Sequence, residues 1–231
     1  MRILLTSDLH GVEEAFHAFS KSLADGYDIG VMAGDLLDDK LTAVELSQLM
    51  SEPEDHDDLQ TRTRRGLLKK ERRIIEVLQE SRKPILVVPG NHDTTPLATD
   101  GTFINLHLKK FDFDGVPFVG YGCLSRTLGP DLQMASLNEI EDILTEQTIL
   151  VTHIPPRGTM DLKMNYRQME SFGSGILAEF VRRKRPRFHF FGDAHDSVGA
   201  RGTSVNASYP LVSSFCGVDT DSGDIWTERT E

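Results

Sequence analysis

Five short apolar runs in this chain each lead to residues able to bind a metal ion, and that repeated ending restricts the fold more than any other feature. Ile3–Thr6 leads to Asp8 and His10, and Ile29–Ala33 to Gly34-Asp35. Ile85–Val88 leads to Pro89-Gly90-Asn91-His92-Asp93, Ile149–Thr152 to His153, and Phe188–Phe191 to Gly192-Asp193-Ala194-His195. Apolar runs of this length suit strands buried on both faces, as in parallel sheets. Open α/β sheets gather ligands at the carboxyl ends of their strands. The pattern therefore predicts an α/β fold with one edge rich in Asp, His and Asn.

The segments between the runs supply the helices. The spacing of Val12, Ala15, Phe16, Phe19 and Leu23 predicts a helix over about 12–24, stopped at Gly26. Between 36 and 84 the composition changes: a helix over 41–50, an acidic break at 51–58, and a second helix over 59–79 with a basic run from Arg62 to Arg73. This region reads as a helical insertion with a solvated, ion-paired face; the sharper alternative is a cap that brings Arg62, Arg64 or Arg65 to a substrate phosphate. Asp114-Gly115 marks a hairpin turn. Ser136, with Glu139 three residues on, predicts a helix over 136–146. A further helix is expected over 175–184, and strands joined by Asp221-Ser222-Gly223 close the chain.

The chain's 231 residues suit one domain, 1–231, since single α/β domains reach about 200–250 residues. With 25 Lys and Arg against 36 Asp and Glu, the formal net charge is −11. That argues against a nucleic-acid polymer or an anionic membrane as partner, because either demands a basic face. Two cysteines make no disulfide framework, and no apolar stretch approaches a membrane span or a signal peptide. A cytoplasmic setting is the expectation, and oligomeric state is left open.

Asp, His and Asn offer the oxygen and nitrogen donors that first-row divalent metals accept. One carboxylate has two oxygens, so Asp35 could bridge two ions. Such a pair can hold a hydroxide and polarise a phosphoryl group, and a protonated imidazole suits a leaving alkoxide. Taken together and in order, Asp8-x-His10, Gly34-Asp35, Gly90-Asn91-His92-Asp93, Thr152-His153 and Gly-x-x-His195 resemble the motifs of calcineurin-like metallophosphoesterases. Thr152-His153-x-Pro155-Pro156-x-Gly158 and Val205-Asn206-Ala207-Ser208 look most like the metallophosphoesterase-domain branch. The resemblance implies a four-layer αββα sandwich of two mixed sheets flanked by helices. It implies that Asp8, His10 and His195 bind one metal, that Asp35 bridges, and that Asn91 and His153 bind the second. It implies that His92 acts on the phosphoryl group or its leaving oxygen, with Asp93 behind the ring.

One position departs from the family's Gly-His-x-His: Asp193 stands where a histidine ligand of the second metal is expected. It could ligate directly, reach the ion through water, or leave the second metal loosely held. Two divalent ions are expected, Mn²⁺ preferred over Fe, Zn or Mg. Arg157 and Arg126 are candidates for the substrate phosphate. His189 reads as a hydrogen-bonded core histidine, and Asn206 as a turn residue. The leading function is a metal-dependent hydrolase of small phosphodiesters, cyclic nucleotides among them, by attack of a metal-bridging hydroxide. A phosphomonoesterase is the alternative within the class, and a metal-binding scaffold with little catalysis the alternative outside it.

Overall fold

The computed structural model describes residues 1–38, 59–93, 101–122, 130–209 and 214–229. The first three apolar runs form β1 (Arg2–Thr6), β2 (Ile29–Met32) and β3 (Ile85–Val87), joined by β4 (Phe103–Asn105) in one parallel set. The second set is β5 (Lys110–Phe113), β6 (Val116–Tyr121), β7 (Ile149–Thr152), β10 (Phe188–Phe191), β11 (Gly199–Arg201) and β12 (Ser204–Asn206). Its inner strands β6, β7, β10 and β12 are parallel, and β5 and β11 close the edges antiparallel. Near the C-terminus β13 (Ser214–Asp219) pairs antiparallel with β1, and β14 (Ile225–Arg229) with β13. The orders are β14-β13-β1-β2-β3-β4 and β11-β12-β10-β7-β6-β5, and β8 (Leu162–Asn165) with β9 (Gln168–Ser171) makes a separate hairpin.

Alternation along the strands builds the layers. Ile3, Leu5, Ile29, Val31, Leu86 and Val88 of the first sheet meet Phe118, Ile149, Val151, Phe190 and Val205 of the second in one cluster. The opposite faces turn to helices. Leu4, Met32 and Val87 pack under α1 (Glu13–Gly26) and α2 (Leu59–Gln79) through Phe16, Phe19, Leu23, Ile74 and Leu78. Val119, Tyr121 and Leu150 pack against Leu137 of α3 (Pro130–Glu139) and against Leu177 and Phe180 of α4 (Gly175–Lys184). Each fully buried Leu, Ile or Phe stabilises the fold by about 1.5–3 kcal/mol relative to exposure. The four-layer sandwich expected from the family resemblance is what the chain forms.

Several local expectations hold to the residue. The helices over 59–79 and 175–184 have those bounds, and the Ser174 side chain accepts the Leu177 N–H at the start of α4. Asp114 and Gly115 take φ of 49° and 77°, as a primed hairpin turn between β5 and β6 requires. The helix expected over 136–146 lies instead at Pro130–Glu139. Proline suits a first helical turn, where no amide donor is needed, and Ser136 falls inside the helix rather than capping it. The helix expected over 41–50 and the acidic break lie outside the described residues. Strands β8, β9, β11 and β12 were not anticipated; they are three or four residues long and, β12 apart, largely exposed, without the apolar alternation that marks a half-buried strand.

His189 is the core histidine that its run suggested. Thr152 Oγ1 donates to the Ile154 carbonyl at 2.8 Å, so it accepts from His189 Nε2 at 2.9 Å. The other ring nitrogen is buried without a hydrogen-bond partner. Burial lowers the pKa of His189 to about 3. In the unfolded chain the imidazole protonates near 6.5, so its contribution is intact above that pH and is lost as pH falls below it. Between pH 7 and pH 5 the wild type should lose about 2 kcal/mol more stability than His189→Gln. Urea denaturation of both proteins at the two pH values measures this.

Candidate metal centre

The two sheets meet at the carboxyl ends of β1 and β12. The Ser7 N–H donates to the Ala207 carbonyl at 3.0 Å and the Tyr209 N–H to the Ser7 carbonyl at 2.9 Å, making a parallel bridge between Ser7 and Ser208. Asp8 follows at once, so the metal-binding candidates of both sheets project into one seam. Two glycines make the approach close enough. A Cβ on Gly90 would lie 2.1 Å from Asp35 Oδ1, and one on Gly192 would lie 1.9 Å from Ser7 Oγ and 2.4 Å from Asp8 Oδ2. Asp8, His10, Asp35 and Asp193 all hold left-handed backbone, with φ of 60°, 47°, 52° and 63°. Such residues cost about 1–3 kcal/mol each and persist where surrounding structure enforces them, often at functional sites.

Asp35 Oδ2 is the point of convergence. Nε2 of His153 lies 3.4 Å from it, and Nε2 of His10 and of His92 each lie 4.0 Å away. Asp35 Oδ1 is occupied, accepting the His92 backbone N–H at 2.8 Å. His153 Nδ1 donates to the Ala33 carbonyl at 2.8 Å, which aims Nε2 at Asp35 and at Asn91 Oδ1, 3.2 Å away. On the other side His195 Nε2 lies 3.0 Å from Asp8 Oδ1, while Asp8 Oδ2 accepts from Ser208 Oγ at 2.8 Å and the Asp193 N–H at 3.0 Å. Asp8, Asp35 and His153 are buried, whereas the His10, His92 and His195 side chains keep 22%, 34% and 32% of their surface. The imidazoles therefore line the open side, where a ligand can enter.

This arrangement suits divalent cations. Atoms bound at about 2.0–2.2 Å to one ion stand roughly 3–4.2 Å apart. Two overlapping sets, Asp8 with His10 and His195, and Asp8 with Asp35 and His153, bring their ligand atoms within 4.8 Å of one another. The charge balance points the same way. Burial works against a charged His153, yet Asp35, Asp8 and Asp193 outweigh it and raise its pKa to about 10. Burial likewise opposes charge on Asp8 and Asp35, but histidine neighbours hold both carboxyls below their usual range. The seam calls for positive charge, and its donors match cations that accept oxygen and nitrogen.

The calcineurin-like phosphoesterase family model matches residues 1–197. The chain belongs to that family. Calcineurin-like phosphoesterases are metal-dependent hydrolases of phosphate esters, and the donor clusters described above are compatible with that chemistry. Among solved structures, TT1561 of Thermus thermophilus superposes with a TM-score of 0.67 at 16% identity, over 100% of this chain and 99% of its own. A hypothetical protein from Thermus thermophilus gives a TM-score of 0.52 at 12% identity, over 99% of this chain and 100% of that one. At such identities the likeness is one of fold. No curated protein matches the chain. No helix among the described residues is long and apolar enough to cross a membrane.

Within this seam the structure brings together Asp8, His10, Asp35, Asn91, His92, His153, Asp193 and His195. Asp93 is placed differently from expectation. Its carboxylate accepts the Leu37 N–H at 2.9 Å and the Gly90 N–H at 2.8 Å, so it fixes the turn that carries Asn91 and His92 through the main chain. Burial raises its pKa to about 6 against those two bonds. Arg157 follows β7 in an exposed loop, and its Nε donates to the Gly173 carbonyl at 3.2 Å. Arg126 lies outside the described residues.

Three contributors escaped the sequence reading. Asp38 places Oδ1 3.6 Å from His10 Nδ1. Lys163 pairs with Asp193. Asn206, read as a turn residue, is buried at the end of β12; its Nδ2 donates to the Ala194 carbonyl at 2.8 Å and its Oδ1 accepts the Ser208 N–H at 3.2 Å. It thus holds both the turn before His195 and the serine that bonds Asp8. The Asn-Ala-Ser segment was the available signal. Gly192→Ala should drive the turn off Asp8 and lower affinity for Mn²⁺ at least tenfold, measured by calorimetric titration of the metal-free protein, with a stability loss of about 1–3 kcal/mol from overpacking.

Proposed function

We propose that this phosphoesterase hydrolyses small phosphodiesters, cyclic nucleotides among them, at a centre of two divalent cations. The reading rests on one observation above others: three imidazole nitrogens from three separate loops converge on one buried carboxylate oxygen, Asp35 Oδ2, at 3.4–4.0 Å. Asp8, His10, Asp35 and His195 would hold one cation, and Asp35, Asn91 and His153 the other, with Asp193 beside them. Cations so bound polarise a phosphoryl group and acidify coordinated water. Asp8, Asp35 and the Asn91 amide give the set an oxygen-rich character that favours Mn²⁺ over Zn²⁺.

His92 is the residue we assign to the leaving oxygen. Its ring keeps a third of its surface open, and its backbone is tied to Asp35 Oδ1 on one side while Asp93 fixes the turn on the other. A group held this way at the mouth of the seam can meet the phosphoryl oxygens without serving as a ligand. The preference for a diester follows from charge. Lys163, which reaches the seam, spends its charge on Asp193, and Arg157 is tied to a backbone carbonyl. A diester carries one negative charge near neutral pH and asks for less added cationic help than a monoester dianion. We read the chain as one domain with a helical insertion over about 36–84. A cytoplasmic setting fits the absence of a cysteine framework in the sequence.

Two measurements test this reading. With Mn²⁺ supplied, bis-p-nitrophenyl phosphate should be cleaved with a higher kcat/KM than p-nitrophenyl phosphate; a strong preference for the monoester would make the protein a phosphomonoesterase. His92→Ala should lower kcat by about 10²–10⁴-fold while Mn²⁺ stoichiometry stays unchanged. If metal-loaded wild type cleaves neither ester, the scaffold reading wins.

A further inference from the structure

The pair Lys163–Asp193 stands beside the candidate donors of the second cation. Lys163 Nζ lies 2.5 Å from Asp193 Oδ1, whereas His153 Nε2 lies 3.9 Å from that same oxygen. Both side chains are largely buried, 15% and 5% exposed, so the pair is shielded from solvent. Lys163 belongs to β8, whose flanking residues Leu162 and Met164 are exposed, so the lysine turns inward between them. Its ammonium also lies 5.4 Å from the centre of the Phe172 ring.

The hairpin that delivers it is fastened to the turn carrying His195. The Leu162 N–H donates to Ser197 Oγ at 3.1 Å, Ser197 Oγ donates to the Leu162 carbonyl at 2.9 Å, and the Met164 N–H donates to Asp196 Oδ2 at 2.7 Å. Lys163 is thus aimed at Asp193 by three bonds from the strand that bears it. Asp193 is fixed at its own end by the N–H it gives to Asp8 Oδ2 at 3.0 Å. Neither group needs to move for the pair to persist.

Charge counting gives the consequence. Among the buried candidate donors, Asp8, Asp35 and Asp193 bring three negative charges to the seam. Lys163 cancels one, and the remaining two match a single divalent cation. A second cation would find the shared Asp35 and two neutral donors, Asn91 and His153, with an ammonium close by. Asp193 also falls outside both sets of ligand atoms that lie within 4.8 Å of one another, whereas His153 lies inside one of them.

We propose that Asp193 does not ligate the second cation but anchors Lys163, whose ammonium keeps the Asp35–Asn91–His153 position weak, so that the centre holds one cation firmly and exchanges the other. The proposal rests on the two-cation reading given above and specifies its regulation: the β8–β9 hairpin sets occupancy of the second position.

The test is titration of the metal-free protein with Mn²⁺, followed by the electron paramagnetic resonance signal of free Mn²⁺, for wild type, Lys163→Met, Lys163→Arg and Asp193→Asn. Circular dichroism checks that each variant is folded. Wild type should bind one Mn²⁺ tightly and a second at least tenfold more weakly. Lys163→Met should tighten the second site at least tenfold, because Asp193 is released to it. Lys163→Arg should stay weak, and Asp193→Asn, which leaves the ammonium unbalanced, should not tighten the second site. Loss of second-site affinity in Asp193→Asn with no gain in Lys163→Met would make Asp193 a ligand and overturn the proposal alone, as would two equally tight sites in wild type. Failure of any of these proteins to bind Mn²⁺ would overturn the two-cation reading itself, and this proposal with it.

Discussion

Everything in this site depends on a single buried oxygen. Asp35 Oδ2 has His153, His10 and His92 turned toward it from the ends of β7, β1 and β3, at separations of 3.4–4.0 Å. Those distances are wide for direct hydrogen bonds, and for His10 and for His153 they suit a side chain that would share an ion with Asp35. A carboxylate that is 1% exposed is costly to keep charged without compensation. His153 supplies that compensation in the metal-free chain, and cations are the natural replacement. Asp35 Oδ1 meanwhile fixes the His92 backbone, so one side chain organises the loops that carry His153, His10 and His92.

The backbone bears the cost of this convergence. Four of the residues in the seam sit in the left-handed region, and Gly90 and Gly192 are where chains from different strands pass within side-chain contact. The strain is supported from outside the seam. Asp93 ties the Gly90 turn to Leu37, Asn206 ties the turn before His195 to β12, and Ser208 bonds Asp8. None of these three is itself a candidate metal ligand, yet they fix where the candidate donor atoms stand. Behind them the two sheets share one apolar layer that leaves the strand ends little freedom.

Much of this was legible in the sequence because the strands are short and wholly buried, so each apolar run stops where its polar end begins. The order of Asp8, Asp35, Asn91, His153 and His195 at those ends carried the family and, through it, the sandwich. Helices over 59–79 and 175–184 were legible, the first from the apolar spacing of Leu67, Leu68, Ile74, Ile75 and Leu78 and the second with Pro186 beyond its end. The β8–β9 hairpin was not, because Leu-Lys-Met-Asn and Gln-Met-Glu-Ser lie on the surface and lack the alternation that burial imposes. Lys163 was hidden with it, since nothing local announces that a lysine of a surface strand turns inward. Asp93 was assigned to the His92 ring because the two are adjacent in sequence. Its oxygens instead face backbone amides of Gly90 and Leu37, the latter 56 residues away, and such long-range contacts leave no spacing to read. Ser136 offered a capping pattern that the chain does not use, since Pro130 starts the helix earlier.

The site that results is asymmetric. Its Asp8 side is rich in charge and fully supported, while its His153 side shares Asp35 and faces a lysine. The most direct test of the central claim is anomalous diffraction from crystals grown with Mn²⁺. The expected result is a strong peak between Asp8, His10, Asp35 and His195 and a weaker one between Asp35, Asn91 and His153, about 3.5–4 Å apart with Asp35 Oδ2 between them. Manganese bound elsewhere on the protein, with no peak beside Asp35, would contradict it.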